Sequence, residues 1–314
     1  MRCGPEGVFQ LNRAIRVAIP FIVAALVASA CSGATSGGAK PAITIGSTNF
    51  SEQLVLGELY SQILESNGYS VTRKFNLGNR EIVFPALQSG QIDMEADYLA
   101  TLLSFVDKTA TGSTDPKKTA ATLQTALTSK GVTVLDYAPA VDQNGFVVTK
   151  TTADKYKLTK LSDLAPVANQ LVLGGPPECP SPTRPFCMPG LKSTYGITFK
   201  DFKPLDTGGP LTVQALVGGQ IDVGLLFTSD ATIAVRGFVL LEDDKQLQLS
   251  DNVAPVVRND YLSKAGDDFK KVINSIAPKL TTAELTGMNK LVEVDKKDPK
   301  DVAKEWLKKQ GLIK

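Results

Sequence analysis

Histidine is absent from this 314-residue chain. That removes the side chain most often used near neutral pH as general base, proton shuttle and metal ligand. No G-x-S-x-G, Walker or G-x-G-x-x-G string is present, so no nucleophile elbow or phosphate-cradling loop can be read from the residues. Charge of one sign is also missing. The formal net charge is +2, and Arg2, Arg13, Arg16 and Glu6 account for it within the first thirty residues. The remainder is near neutral, which argues against nucleic acid or an anionic membrane surface as the partner. Nothing forms a catalytic set, so we expect a protein that is not an enzyme and uses no cofactor or metal.

Only one apolar run is long, Val17 to Ala28, behind the basic residues Arg2, Arg13 and Arg16. It is too short and too early for a spanning helix of roughly 20 residues, and reads as a signal peptide over 1–30. Ala28-Ser29-Ala30-Cys31 then resembles a lipobox, although Ala-x-Ala also suits ordinary signal peptidase. We expect lipid at Cys31, a flexible Ser/Gly/Ala/Thr-rich tether over 31–41, and anchoring at the outer face of the cytoplasmic membrane. Cys179 and Cys187 lie in a Pro-rich segment unsuited to helix or central strand. Outside the cytoplasm a disulfide is their expected state. A two-cysteine metal site is the rival, weakened by the lack of histidine.

What is present is a repeat. Ala86-Leu87-Gln88-Ser89-Gly90-Gln91-Ile92-Asp93 returns as Ala215-Leu216-Val217-Gly218-Gly219-Gln220-Ile221-Asp222, with six of eight positions identical. Each copy ends a helix-periodic stretch at glycine and leads into a strand-like run, so one helix–turn–strand unit occurs in each half. Asp93 and Asp222 read as turn and strand-end residues. Strand and helix patterns alternate along the chain, which means α/β layers. Among them are a strand at 43–47, a helix at 51–66 with Leu54, Leu59, Ile63 and Leu64 inward, and strands at 146–149 and 223–227. We expect two α/β lobes, 42–144 with 253–314 and 145–252, joined by two crossovers near 142–145 and 249–253. A small molecule would bind in the cleft between them. Asn49 and Glu52 are spaced as a capping box at the first helix, beside the end of the first strand, where anionic groups settle in α/β folds.

Five strings carry a resemblance: Gly46-Ser47-Thr48-Asn49-Phe50-Ser51-Glu52-Gln53, the first repeat copy, Arg184-Pro185-Phe186-Cys187-Met188-Pro189-Gly190-Leu191-Lys192, Phe227-Thr228-Ser229-Asp230 and Asn252-Val253-Ala254-Pro255-Val256-Val257-Arg258. Together, from about Ile43 to Lys314, they resemble the substrate-binding lipoproteins of osmoprotectant (glycine betaine/carnitine/choline/proline) ABC importers. The resemblance implies the type II periplasmic-binding-protein fold, a monomer, and delivery of a quaternary-ammonium solute to a permease with its ATPase. It implies a box of aromatic rings around the trimethylammonium group, with Tyr98, Phe146 and Phe227 at three ring positions and Thr101 nearby. Arg184 falls at the carboxylate-binding arginine, and Thr48 and Asn49 in the first binding loop. Two departures are plain: Thr48 replaces a lysine, and Asp251 replaces the fourth tyrosine. Asp251 beside a cation would favour choline-like ligands over zwitterions. The alternative on the same fold is a receptor for an aromatic compound or an amino acid.

Overall fold

The computed structural model describes residues 40–314. The expected signal peptide, Cys31 and the expected tether as far as residue 39 lie outside the described residues. The first lobe begins with β1 (Ile43–Gly46), α1 (Ser51–Ser66), β2 (Val71–Lys74), α2 (Arg80–Ser89), β3 (Met94–Tyr98), α3 (Leu99–Val106), α4 (Pro116–Thr128) and β4 (Val132–Val134). The second holds β5 (Asn144–Val148), α5 (Lys150–Tyr156), β6 (Val172–Gly175), α6 (Met188–Tyr195), β7 (Asp201–Pro204), α7 (Pro210–Val217), β8 (Val223–Phe227), α8 (Thr232–Val235) and β9 (Val239–Leu240). The chain then returns through β10 (Val253–Arg258), α9 (Asn259–Asn274), α10 (Thr282–Glu293) and α11 (Pro299–Lys309).

The sheets have matching orders, β2-β1-β3-β10-β4 and β7-β6-β8-β5-β9. In each, four strands run in one direction and one is antiparallel to them. That antiparallel strand comes last in the first sheet (β10) and first in the second (β5). The chain therefore passes between lobes twice, and the two passages lie side by side, bridged at Val141 and Asn252.

The repeat occupies equivalent places in the two sheets. Gly90 and Gly219 stop their helices with φ of 78° and 67°, backbone angles that favour glycine. Gln91 and Gln220 then donate backbone N–H to Ala86 and Ala215. Asp93 exchanges bonds with Thr44 of β1, and Asp222 does the same with Val172 of β6, each carboxylate accepting a backbone N–H at 2.9 Å. Ile92 and Ile221 press on Gly46 and Gly174, where a Cβ would meet their side chains at 2.4 and 2.6 Å. Both aspartates thus tie a turn to a neighbouring strand.

Helix α1 departs from the amphipathic expectation. Glu52 and Gln53, then every residue from Val55 to Leu64, are buried, whereas Leu54 is only half-buried. The cause is tertiary: α9, α10 and α11 cover the face that periodicity assigns to solvent.

Cys179 and Cys187 form a disulfide, with Cα atoms 5.3 Å apart. Both sulfurs are buried against Leu173 and Leu191 in the second lobe. Replacing both cysteines with serine should lower stability by about 2–3 kcal/mol, since loop closure no longer restricts the unfolded chain. Denaturant titration of the oxidised parent and the variant checks this. Equal midpoints would contradict it.

Candidate functional site

The cleft is built where strands end. Its walls come from the β1–α1 turn, the end of β3 with the first turn of α3, the Pro-rich loop after β6, the end of β8 and the two passages between lobes. The space between these walls, counted with its open mouth, is about 870 Å³.

Three rings stand in a row across it. Phe50 lies between Tyr98 and Phe227, with centroids 6.4 and 5.0 Å away and interplanar angles of 23° and 27°. Phe50 and Tyr98 belong to the first lobe and Phe227 to the second, so the row also closes the lobes on each other. Phe186 lines the same space from the disulfide loop. Tyr98 donates its hydroxyl proton to Glu52 Oε1 at 2.5 Å and accepts from Gln53 Nε2 at 3.1 Å. These bonds aim a buried phenol whose ring face remains on the cleft.

Glu52 does not form the expected capping box with Asn49. Phe50 is the N-cap of α1, with extended backbone and no side-chain cap. The Glu52 carboxylate turns instead to the lobe boundary, where Oε2 accepts from Ser229 Oγ and Asn289 Nδ2, both at 2.6 Å. Burial raises the Glu52 carboxyl above the ordinary carboxylate value, against the bonds from Ser229, Tyr98 and Asn289. Asp142, in the first passage between lobes, accepts the Ser229 N–H at 3.0 Å. Burial and then the Glu52 charge push it well above the usual carboxylate range.

Thr48, Asn49, Tyr98, Thr101, Arg184, Phe227 and Asp251 all line the cleft. Thr48 Oγ1 is buried with no hydrogen-bond partner. Asp251 Oδ1 accepts from Thr101 N–H at 2.8 Å and from Thr101 Oγ1 at 2.7 Å, which ties the second passage to the start of α3. Burial pushes the Asp251 carboxyl up to about 6, opposed by the Thr101 bonds and by Arg80. Arg80 grips Asp97 as a fork, Nη2–Oδ1 2.5 Å and Nε–Oδ2 2.9 Å. Arg184 donates through Nη2 to Glu81 Oε2 at 2.6 Å. The lining carries Asp97, Glu178 and Asp251, with Asp142 held toward its protonated form, against two arginines, each already beside a carboxylate.

Phe146 is the misplaced expectation. It is 1% exposed and packs into the core of the second lobe with Leu173, Leu225 and the disulfide. Alternate residues of a strand share a face, and on β5 it is Asn144, two positions earlier on that face, that reaches the cleft. Phe50 supplies the ring instead. Its signal lay within the first quoted string: an aromatic residue stands at a helix start, where Ser, Thr, Asp and Asn are preferred. Breaking a local rule in that way points to function.

Among the described residues no group of three or more Cys, Asp and Glu is placed to hold a metal ion, and no helix is long and apolar enough to cross a membrane. The family described as the substrate-binding domain of ABC-type glycine betaine transport systems matches residues 41–309. The carnitine transport binding protein OpuCC of Listeria monocytogenes is 27% identical over 297 residues, covering 93% of this chain and 94% of that protein. The ergothioneine transport permease/ergothioneine binding protein EgtU of Helicobacter pylori is 26% identical over 275 residues, 87% of this chain and 48% of that protein. A crystal structure described as a glycine betaine/carnitine/choline ABC transporter superposes with a TM-score of 0.68 at 29% identity, covering 86% of this chain and 99% of that one. The two-sheet arrangement is therefore that of type II periplasmic binding proteins.

Proposed function

We propose, from the premise that the chain belongs to the family of substrate-binding domains of ABC-type glycine betaine transport systems, that its cleft captures a quaternary-ammonium solute by closing two lobes around it. The solute is then released to a membrane permease powered by a separate ATPase. One observation carries the ligand class. A row of rings shares the cleft lining with Asp251, whose carboxyl is raised to about 6, and the cleft's two arginines already sit beside carboxylates. Ring faces attract a trimethylammonium group through their quadrupoles, and a buried carboxylate short of positive charge adds Coulomb attraction.

The contacts we assign are Phe50, Tyr98 and Phe227 as ring faces, Asp251 as counter-charge, and Thr48, Asn49 and Thr101 as polar neighbours. A monomer tethered through lipid on Cys31 fits delivery to a permease in the same membrane. A trimethylammonium solute that also carries a flat ring is the second reading, supported by the ergothioneine-binding relative. Such a solute would have to part Phe50 from Phe227, now 5.0 Å apart.

Calorimetric titration with choline, glycine betaine, carnitine and ergothioneine, paired with small-angle scattering, tests the proposal. Binding of at least one, with compaction of the lobes, is the expected result. A folded protein that binds none of the four would refute it.

A further inference from the structure

Arg184 stands on the disulfide-closed loop of the second lobe, and its guanidinium reaches across the cleft mouth. Nη2 meets Oε2 of Glu81, in the first turn of α2 on the first lobe, at 2.6 Å. Glu178 Oε1, on the loop bearing Arg184, lies 3.6 Å away. The Arg184 side chain is only 16% exposed, so water and salt screen this group weakly. The other arginine of the cleft, Arg80, is locked to Asp97.

We propose that Glu81 is a specificity-determining residue. By holding Arg184 across the cleft, it withholds the guanidinium that a solute carboxylate would need. The site thereby selects trimethylammonium solutes without a carboxylate, of choline type, over betaines. This inference rests on the quaternary-ammonium reading above.

The physical argument is one of competition. A betaine carboxylate approaching Arg184 must either displace Glu81 or share the guanidinium with Glu81 and Glu178, placing like charges together. Thr48 provides no alternative cation in the binding loop, and Arg80 is occupied. A site can reject a ligand by presenting unpaired or repelling groups as well as by failing to attract it. A hydroxyl meets no such barrier. Arg184 Nε is buried and has no hydrogen-bond partner; a neutral oxygen could take that donor without disturbing Glu81. The ion pair joins the two lobes, so Arg184 also supports closure around any solute.

Choline and glycine betaine share a trimethylammonium head and differ in hydroxyl against carboxylate, which makes them the matched pair for calorimetry on the mature chain. The parent should prefer choline at least tenfold. Glu81→Gln and Glu81→Ala should each narrow that ratio at least fivefold, mainly by tightening glycine betaine, whereas Glu81→Asp should retain it. Arg184→Gln should weaken both solutes by similar factors through the lost lobe contact, with thermal melts reporting that each variant is folded. An unchanged ratio in both Glu81 variants, or selective loss of glycine betaine in Arg184→Gln, overturns the role of Glu81 while leaving the quaternary-ammonium reading intact. Absence of binding of either solute by the folded parent and all variants overturns this inference; the quaternary-ammonium reading falls with it only if carnitine and ergothioneine also fail to bind.

Discussion

Asp251→Asn should bind choline roughly 30- to 150-fold more weakly than the parent, yet be more stable at pH 8. At ~4–5 Å and an effective dielectric near ~20, a carboxylate attracts a trimethylammonium group by about 3–4 kcal/mol before desolvation. A net loss of about 2–3 kcal/mol on neutralising the group gives the stated factor. The Asn side-chain oxygen can still accept from Thr101 N–H and Oγ1, so the tie to α3 is kept. The stability effect has the opposite sign because burial raises the Asp251 carboxyl to about 6, whereas an unfolded Asp ionises near ~3.9. Between those values the folded protein holds the extra proton, so stability from Asp251 is full below pH ~4 and is lost as pH rises through about 6. At pH 8 the ionised group costs about 3 kcal/mol, which Asn relieves. The parent's choline affinity should stay level above about pH 7 and fall as pH drops below 6, when the free carboxyl takes up a proton. Calorimetry across pH 5–8 with urea melts at pH 8 reads both effects, with those values chosen to bracket about 6. Undiminished choline binding by Asp251→Asn would remove Asp251 from the site. Asp251→Tyr combined with Thr48→Lys should turn the preference toward glycine betaine, since it replaces an acid with a ring and adds a cation.

Phe50 and Phe146 should separate binding from stability. Phe50→Ala removes the middle ring of the row, and a loss of about 1–2 kcal/mol in solute affinity is expected for a desolvated cation. Phe227→Ala and Tyr98→Ala should fall in the same range. Phe146→Ala should instead cost about 3–5 kcal/mol of folding stability through the cavity left in the core. Any solute bound by its folded fraction should be held as tightly as by the parent. Parallel chemical melts and titrations under strongly native conditions decide between the roles. Binding unchanged in Phe50→Ala, Tyr98→Ala and Phe227→Ala alike would show that the rings pack the lobe boundary without touching solute.

Much of the architecture follows from local chemistry. Strand β8 spans Val223–Phe227 and helix α1 spans Ser51–Ser66, both as the local pattern predicts, because side-chain spacing acts over a few residues. The short helices α5 and α8 and the two-residue β9 are too brief for any period to register. Strand β6 starts only at Val172, because Ala168–Gln170 first makes a 3₁₀ turn.

The chain by itself determined the α/β alternation, the duplicated helix–turn–strand unit and the Pro-rich loop carrying two cysteines. Each depends on residues near in sequence, where backbone geometry limits the choices. Tertiary structure alone decided which rings meet, and which charges answer which. Phe146 and Asn144 share a strand face by simple alternation, but how far along β5 the cleft lies depends on where the other lobe ends. Asp251 meets Thr101 across 150 positions, and Arg184 meets Glu81 across 103. No local preference encodes such pairs. They form because two sheets of matching order close on one another, and burial then gives each approaching carboxylate and guanidinium few partners to choose from.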